Sequence, residues 1–397
     1  MIIRKGYRYR LKTDAINANA LARFAGSCRY VWNKALDLQH KRLADGSACL
    51  SYVEMNAALQ TWKADPTSLW LKDTPAQALQ QALMALDCAL KDCFDKSSVK
   101  RFPRFKKKGL HDAFRYPQGF KLDGSRVYLP KVGWLGFYKS RAWEGVPKNV
   151  TVSRHGAHLF ISVQCEIDTA LPVHPSQTAV GIDMGIRRFA TLSDASFFEP
   201  LHSFKKLEAK LARAQRKLAR KTRGSSNWQK QRDRIGKVHI QIADARSDYL
   251  HKISTAISKK HAVVVLEDLR VVNMSRAARG TLEKPGRNVA AKSGLNKSIL
   301  DQGWGEFRRQ LDYKTLWAGG QLVPAAYTSQ SCHVCGHVDK GNRKTQADFV
   351  CLACGLSANA DYNAALNILA AGQAASACGA ERARASVLKQ EPSGQAA

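Results

Sequence analysis

The chain has 397 residues, with 63 Lys and Arg against 32 Asp and Glu, a formal charge of +31, and 45% hydrophobic residues. That apolar share can fill a sizeable core and excludes a wholly disordered chain; with no run of 18 apolar residues, a transmembrane helix is excluded as well. Such an excess of positive charge opposes compaction unless a polyanion neutralises it, and because basic residues run from Arg4 to Arg309 rather than along one amphipathic helix, nucleic acid is the expected polyanion.

Residues 1–12 read as a short basic strand. From Thr13 to about Phe94 the pattern is helical: Leu21, Phe24, Cys28, Val31 and Ala35 recur at three- and four-residue steps, as do Leu79, Leu83, Leu86 and Leu90. Thr74 is the expected N-cap of the second of these stripes, with Pro75 in its first turn. The basic run RFPRFKKKG (101–109) reads either as a solvated loop or as a phosphate contact whose aromatics stack on bases. LFISVQCEI (159–167) alternates as a strand and should pair with NVTVS (149–153) across a turn at Arg154-His155-Gly156.

A Pro-rich boundary is expected at 168–178. Beyond it, AVGIDMGIRRFATLSD reads as strand, tight turn and strand, followed by a basic helix with Leu207, Leu211 and Leu218 on one face and a second helix ending near Ile257. AVVVLEDL (262–269) reads as a buried strand, 273–294 as a mobile loop, LNKSILDQGWGEFRRQLDYKTLWAGG as one helix, and QLVPAAY as a strand. The Ala-, Gln-, Ser- and Gly-rich end reads as a disordered tail.

Ten cysteines in a large chain without an apolar h-region at its start are expected to be reduced thiols. Six, Cys28, Cys49, Cys88, Cys93, Cys165 and Cys378, are scattered without ligand spacing. The other four form two Cys-x-x-Cys knuckles, Cys332 with Cys335 and Cys351 with Cys354, separated by 15 residues. This is zinc-ribbon spacing, preferred over a redox pair. Four thiolates complete a tetrahedral shell with no open position, which makes the Zn²⁺ structural; His333 and His337 are read as bystanders.

A second set of residues carries carboxylates in apolar strand contexts. Asp183 lies inside GIDMGIRR, Glu267 ends VVVLE, and Asp361 opens the helix DYNAALNILAAG. Singly, each has a plain alternative: a solvent-facing strand end for the first two, a helix cap for the third. Together they suggest two Mg²⁺ ions on carboxylate oxygens and in-line attack on a phosphodiester, whose polyanionic backbone matches the charge of the chain.

GIDMGIRRFATLSD, VVVLEDL, YTSQSCHVCG…CLACG and ADYNAALNI, in this order, resemble the TnpB family of transposon-encoded RNA-guided nucleases, which are related to type V CRISPR effectors. The resemblance is specific from about 178 to 370 and looser upstream, where it rests on the helix FAGSCRYVWNKAL. It implies an α/β fold: an RNase H-like (RuvC) nuclease domain at 176–328 and 356–371 with an inserted zinc ribbon at 329–355. An N-terminal β-barrel at 1–12 and 104–175 would be interrupted by a helical recognition domain at 13–103, with a disordered tail at 372–397. It also implies that Asp183, Glu267 and Asp361 are catalytic and bind magnesium, that Cys332, Cys335, Cys351 and Cys354 bind zinc, and that the partners are a guide RNA from the transposon end and double-stranded target DNA. The expected location is the bacterial or archaeal cytoplasm, associated with the nucleoid. A miniature CRISPR effector, a regulator that only binds and a DNA transposase are the alternatives. Asp268, beside Glu267, is expected to face away.

Overall fold

The computed structural model describes residues 2–98, 100–109, 112–170, 172–281, 283–325, 330–345 and 347–388, with backbone alone from 375 onward. It divides into two compact units, Met1–Ala170 and Leu171–Ala397, so the break falls inside the Pro-rich segment.

The first unit joins strand β1 (Ile2–Lys12) to helices α1 (Ala15–Ala44), α2 (Tyr52–Ala64) and α3 (Ala76–Phe94), followed by strands β2 (Ala113–Tyr116), β3 (Lys121–Asp123), β4 (Arg126–Leu129), β5 (Gly133–Tyr138), β6 (Val146–His155) and β7 (His158–Asp168). Strand β1 alternates as a half-buried strand must: Tyr7, Tyr9 and Leu11 enter the core while Arg4, Arg8 and Arg10 face out. The expected pairing of 149–153 with 159–167 is present, tightened to a two-residue turn between His155 and His158. The expected barrel is not closed. Among the described residues the strand order is β2-β6-β7-β1-β5-β4-β3, a half-barrel whose edge strands, of four and three residues, do not pair with each other.

One other expectation for this unit is corrected, and the basic run, a loop as expected, proves partly anchored. Thr74 does not cap α3, because its buried hydroxyl donates instead to Ser27 Oγ at 2.7 Å and the helix starts after Pro75 without a side-chain cap. The basic run is not simply solvated. Trp32 Nε1 donates to the Arg104 carbonyl at 3.1 Å, Asn33 brackets Lys106 through both its amide groups, and Lys106 Nζ lies 3.6 Å from the centre of the Trp32 ring. Burial lowers the Lys106 ammonium below its usual range.

The second unit is mixed α/β. Strands β8 (Ala179–Asp183), β9 (Ala190–Leu192) and β10 (Phe197–Phe198) lead to helices α4 (Ser203–Ala219) and α5 (Ser226–Lys260), then β11 (Val263–Glu267). Helices α6 (Val271–Met274), α7 (Val289–Gln302) and α8 (Trp304–Trp317) precede β12 (Gln321–Ala325); the short strands β13 (Asp348–Val350) and β14 (Ser357–Asn359) and helix α9 (Ala360–Leu388) complete it. The main sheet runs β10-β9-β8-β11-β12, with β11 parallel to both β8 and β12. Such central parallel strands are covered on both faces, which is why VVVLE reads as a continuous apolar run.

The predicted single helix at 295–320 is two, because Gly303 takes φ +74°, a left-handed conformation that ends α7 and starts α8. The predicted loop 273–294 is correspondingly shorter, since 289–294 already belong to α7. The tail expected to be disordered from 372 continues α9 to Leu388, as an Ala-rich stretch with high helix propensity can; 389–397 lie outside the described residues. At the edge, Pro324 sits in β12 beside Leu266 of β11. Among the described residues no helix is long and apolar enough to cross a membrane.

Candidate active site

Asp183 and Glu267 end β8 and β11. The register pairs Ile182 with Leu266 one residue earlier, so the two carboxylates leave neighbouring parallel strands at the same end. The third arrives on α9, which crosses β8 at Gly181. A Cβ built on Gly181 would lie 2.2 Å from the Ala365 carbonyl oxygen and 2.6 Å from the Leu369 nitrogen. Only glycine permits that approach, which packs the second and third turns of α9 on the middle of β8 and leaves the helix start, with Asp361, toward its end. Gly181→Ala is expected to push the helix out and destabilise the protein by about 3 kcal/mol, the upper range for overpacking; thermal unfolding beside the parent checks this, and an unchanged midpoint would refute it.

Asp361 is not spent as a helix cap. That task falls to Asn359, whose Oδ1 accepts from the Asp361 and Tyr362 N–H groups at 3.1 and 3.2 Å. Its carboxylate faces Arg343 instead, with Nη2 to Oδ1 at 3.7 Å. Burial first, then the like charges of Asp361 and Glu267, push the Asp183 carboxyl up to about 7, against an opposing pull from Arg343. Burial also raises Glu267. The three carboxylates predicted from sequence are therefore brought together within Coulombic reach, at one strand end. Such a cluster has the oxygen donors that hard divalent cations take. Asp268 turns away and pairs with Arg308.

The four cysteines also converge. Cys332 Sγ lies 3.7 Å from Cys354 Sγ, Cys335 Sγ lies 3.5 Å from Cys351 Sγ, and all four sulfurs lie within 4.8 Å of one another. Tetrahedral coordination at about 2.3 Å puts sulfurs about 3.8 Å apart, so the cluster fits a structural zinc ion. The second knuckle is joined to the body by β13 and β14, which pair as a hairpin, Asp348 with Asn359 through Val350 with Ser357.

Two residues of this region escaped the sequence reading. Arg343 follows a short turn in the cysteine-rich segment and gains significance only when that segment folds back on α9. Asn363, fully buried, bonds the knuckle around Cys332, so His333, taken as a bystander, is one of its partners. Asn359 could have been read as a cap from its place two residues before Asp361.

The units therefore define a mixed α/β protein with a half-buried group of three carboxylates and a four-cysteine centre. The family model OrfB_IS605, described as "Probable transposase", matches residues 162–278; a "Cas12f1-like, TNB domain" model matches 304–368 and a "Helix-turn-helix domain" model of the same series matches 1–47. InsQ of Escherichia coli (strain K12), named as an RNA-guided DNA endonuclease, is 52% identical over 392 residues, 98% of this chain and 97% of that protein. A protein of Streptomyces pristinaespiralis, also named as an RNA-guided DNA endonuclease, is 36% identical over 408 residues, covering 98% and 96%. Among solved structures, a Cas12f1–sgRNA–target DNA complex aligns with TM-score 0.49 and 14% identity over 92% of this chain and 98% of that chain. This chain belongs to the TnpB family of IS605-type elements. Within the segment matched as a helix-turn-helix, residues 2–44 form here one strand and one long helix.

Proposed function

We propose that this protein is an RNA-guided DNA endonuclease of an insertion sequence that hydrolyses target phosphodiesters at an RNase H-like (RuvC) site built from Asp183, Glu267 and Asp361. The observation that carries the nuclease site is geometric: Asp183 and Glu267 leave neighbouring parallel strands at the same end, and Asp361 opens the helix packed on β8, an arrangement of carboxylates that a bound cation would suit. Two Mg²⁺ ions bound there would activate a water and stabilise the leaving oxygen of an in-line displacement.

The chain's own residues do the rest. Asp183, pushed up to about 7 by burial and its neighbours, would hold a cation only as the carboxylate, its proton passing to solvent. Arg343, facing Asp361 at 3.7 Å, sets a positive charge beside the carboxylates, where it would favour an approaching phosphate. The surplus of 63 basic over 32 acidic residues neutralises phosphates along the guide and target, whose sequence is read by base pairing rather than by side chains. The guide is an RNA from the transposon end, the target is double-stranded DNA, and the place of action is the cytoplasm, at the nucleoid. The zinc ribbon is structural.

The test is to express the chain with its flanking genomic DNA, sequence the RNA that copurifies, and challenge the complex with matched plasmid and Mg²⁺. Cleavage confined to plasmid that matches the bound RNA supports the proposal. Binding without cutting moves the protein to the class of regulators.

A further inference from the structure

Cys332, first of the four cysteines, is buried, and the peptides on both sides of it are bonded to side chains of α9. The Ser331 carbonyl accepts from Asn363 Nδ2 at 2.8 Å and from Asn367 Nδ2 at 2.6 Å. The His333 N–H donates to Asn363 Oδ1 at 3.1 Å, and His333 Nδ1 lies 2.9 Å from the same oxygen, so that ring nitrogen carries the proton there. Asn363 has no solvent exposure and stands two residues after Asp361. A buried amide whose partners all lie on one loop must lose them together if that loop moves, and unpaired it is costly. The loop is shaped by the metal its thiolates hold, because ligation fixes the Cys332 backbone between Ser331 and His333.

We propose that Asn363 is a positioning residue that makes the hold of Asp361 on its catalytic cation depend on the metal in the cysteine centre. The inference rests on the three-carboxylate reading given under the proposed function. Through Asn363, and secondarily Asn367, the knuckle sets the first two turns of α9, and with them the Asp361 carboxylate relative to Asp183 and Glu267. Zinc thereby acts at a distance on the affinity of the nuclease site for its own ion, without touching substrate.

The test uses the full chain with its copurified guide RNA. Asn363→Ala is titrated with Mg²⁺ in a cleavage assay, and its zinc is counted by mass spectrometry. The expected result is a half-saturating Mg²⁺ concentration raised about tenfold, a rate at saturating Mg²⁺ within about twofold of the parent, and unchanged zinc content, as for residues that orient metal ligands. A Mg²⁺ titration superimposable on the parent's overturns the proposal, and so does loss of zinc, which would make Asn363 a plain support of the ribbon. Asp361→Ala separates this from the underlying reading: if that variant cuts at the parent's rate, the carboxylate site itself is wrong. Should Asn363→Ala not fold, hydrogen exchange on the parent decides the matter. Amides 364–368 should exchange at least about tenfold faster once zinc is chelated, and unchanged protection there overturns the coupling.

Discussion

Asp183→Asn should abolish cleavage and, in the absence of divalent metal, make the protein more stable. Loss of one oxygen donor from the proposed two-ion site would remove several kcal/mol of transition-state stabilisation, about a thousandfold or more in rate. The stability gain follows from linkage. Burial and the charges of Asp361 and Glu267 raise the folded carboxyl from 3.8 to about 7, so between those pH values the unfolded chain ionises more readily than the folded one. The parent therefore loses stability as pH climbs from about 4 to about 7, and asparagine does not. Above pH 7 the variant should lead by about 2 kcal/mol, less than the roughly 4 kcal/mol of full linkage, because the neighbouring carboxylates relax as well. Added Mg²⁺ should stabilise the parent and leave the variant nearly unmoved. Thermal unfolding in chelator at pH 5 and pH 8 checks the sign. A variant no more stable than the parent at pH 8 would mean that burial and repulsion do not govern Asp183.

Cys351→Ser should have the second large effect. Removing one thiolate opens a closed tetrahedral shell, and structural zinc contributes on the order of 10 kcal/mol to small domains that fold around it. The variant is expected to lose zinc and the protection of the β13–β14 hairpin, and to lose cleavage with them, since Asp361 follows Asn359 of that hairpin. The first unit, with its own core, should keep its unfolding transition. Cys88→Ser, at an exposed cysteine of that unit, is the control and should change neither zinc content nor activity. Retention of zinc by Cys351→Ser would remove it from the ligand set.

Much of this architecture is legible in the sequence because the relevant signals are local. Strand ends in an α/β sheet follow apolar runs, so Asp183 and Glu267 stand out as carboxylates where the run stops, and paired knuckles declare themselves by spacing alone. What escaped depends on contacts between segments distant in sequence. Thr74 looks like a cap until Ser27, 47 residues away, claims its hydroxyl. Arg343 carries no periodic signal and acquires its place only because the ribbon folds back onto α9. The barrel came from the family resemblance, and alternation along single strands, which says which face is buried but not whether the first and last strands meet, could not test it. Gly303 was visible, but glycines within a helical pattern, Gly305 among them here, are commonly tolerated; only the left-handed φ of Gly303 divides α7 from α8.

The β12 edge of the second unit's main sheet has a consequence for the free protein. The Gln321 N–H donates inward to Ala262, so by alternation Val323 also faces β11 while Leu322 and residue 324 face outward. Residue 324 is proline, and half of the donors that edge could offer are missing. A strand from another molecule cannot dock there along an unbroken ladder. The exposed margin of a parallel sheet, otherwise a template for aggregation, is thus blunted by one imino acid, which helps a highly cationic chain stay dispersed until RNA reaches it.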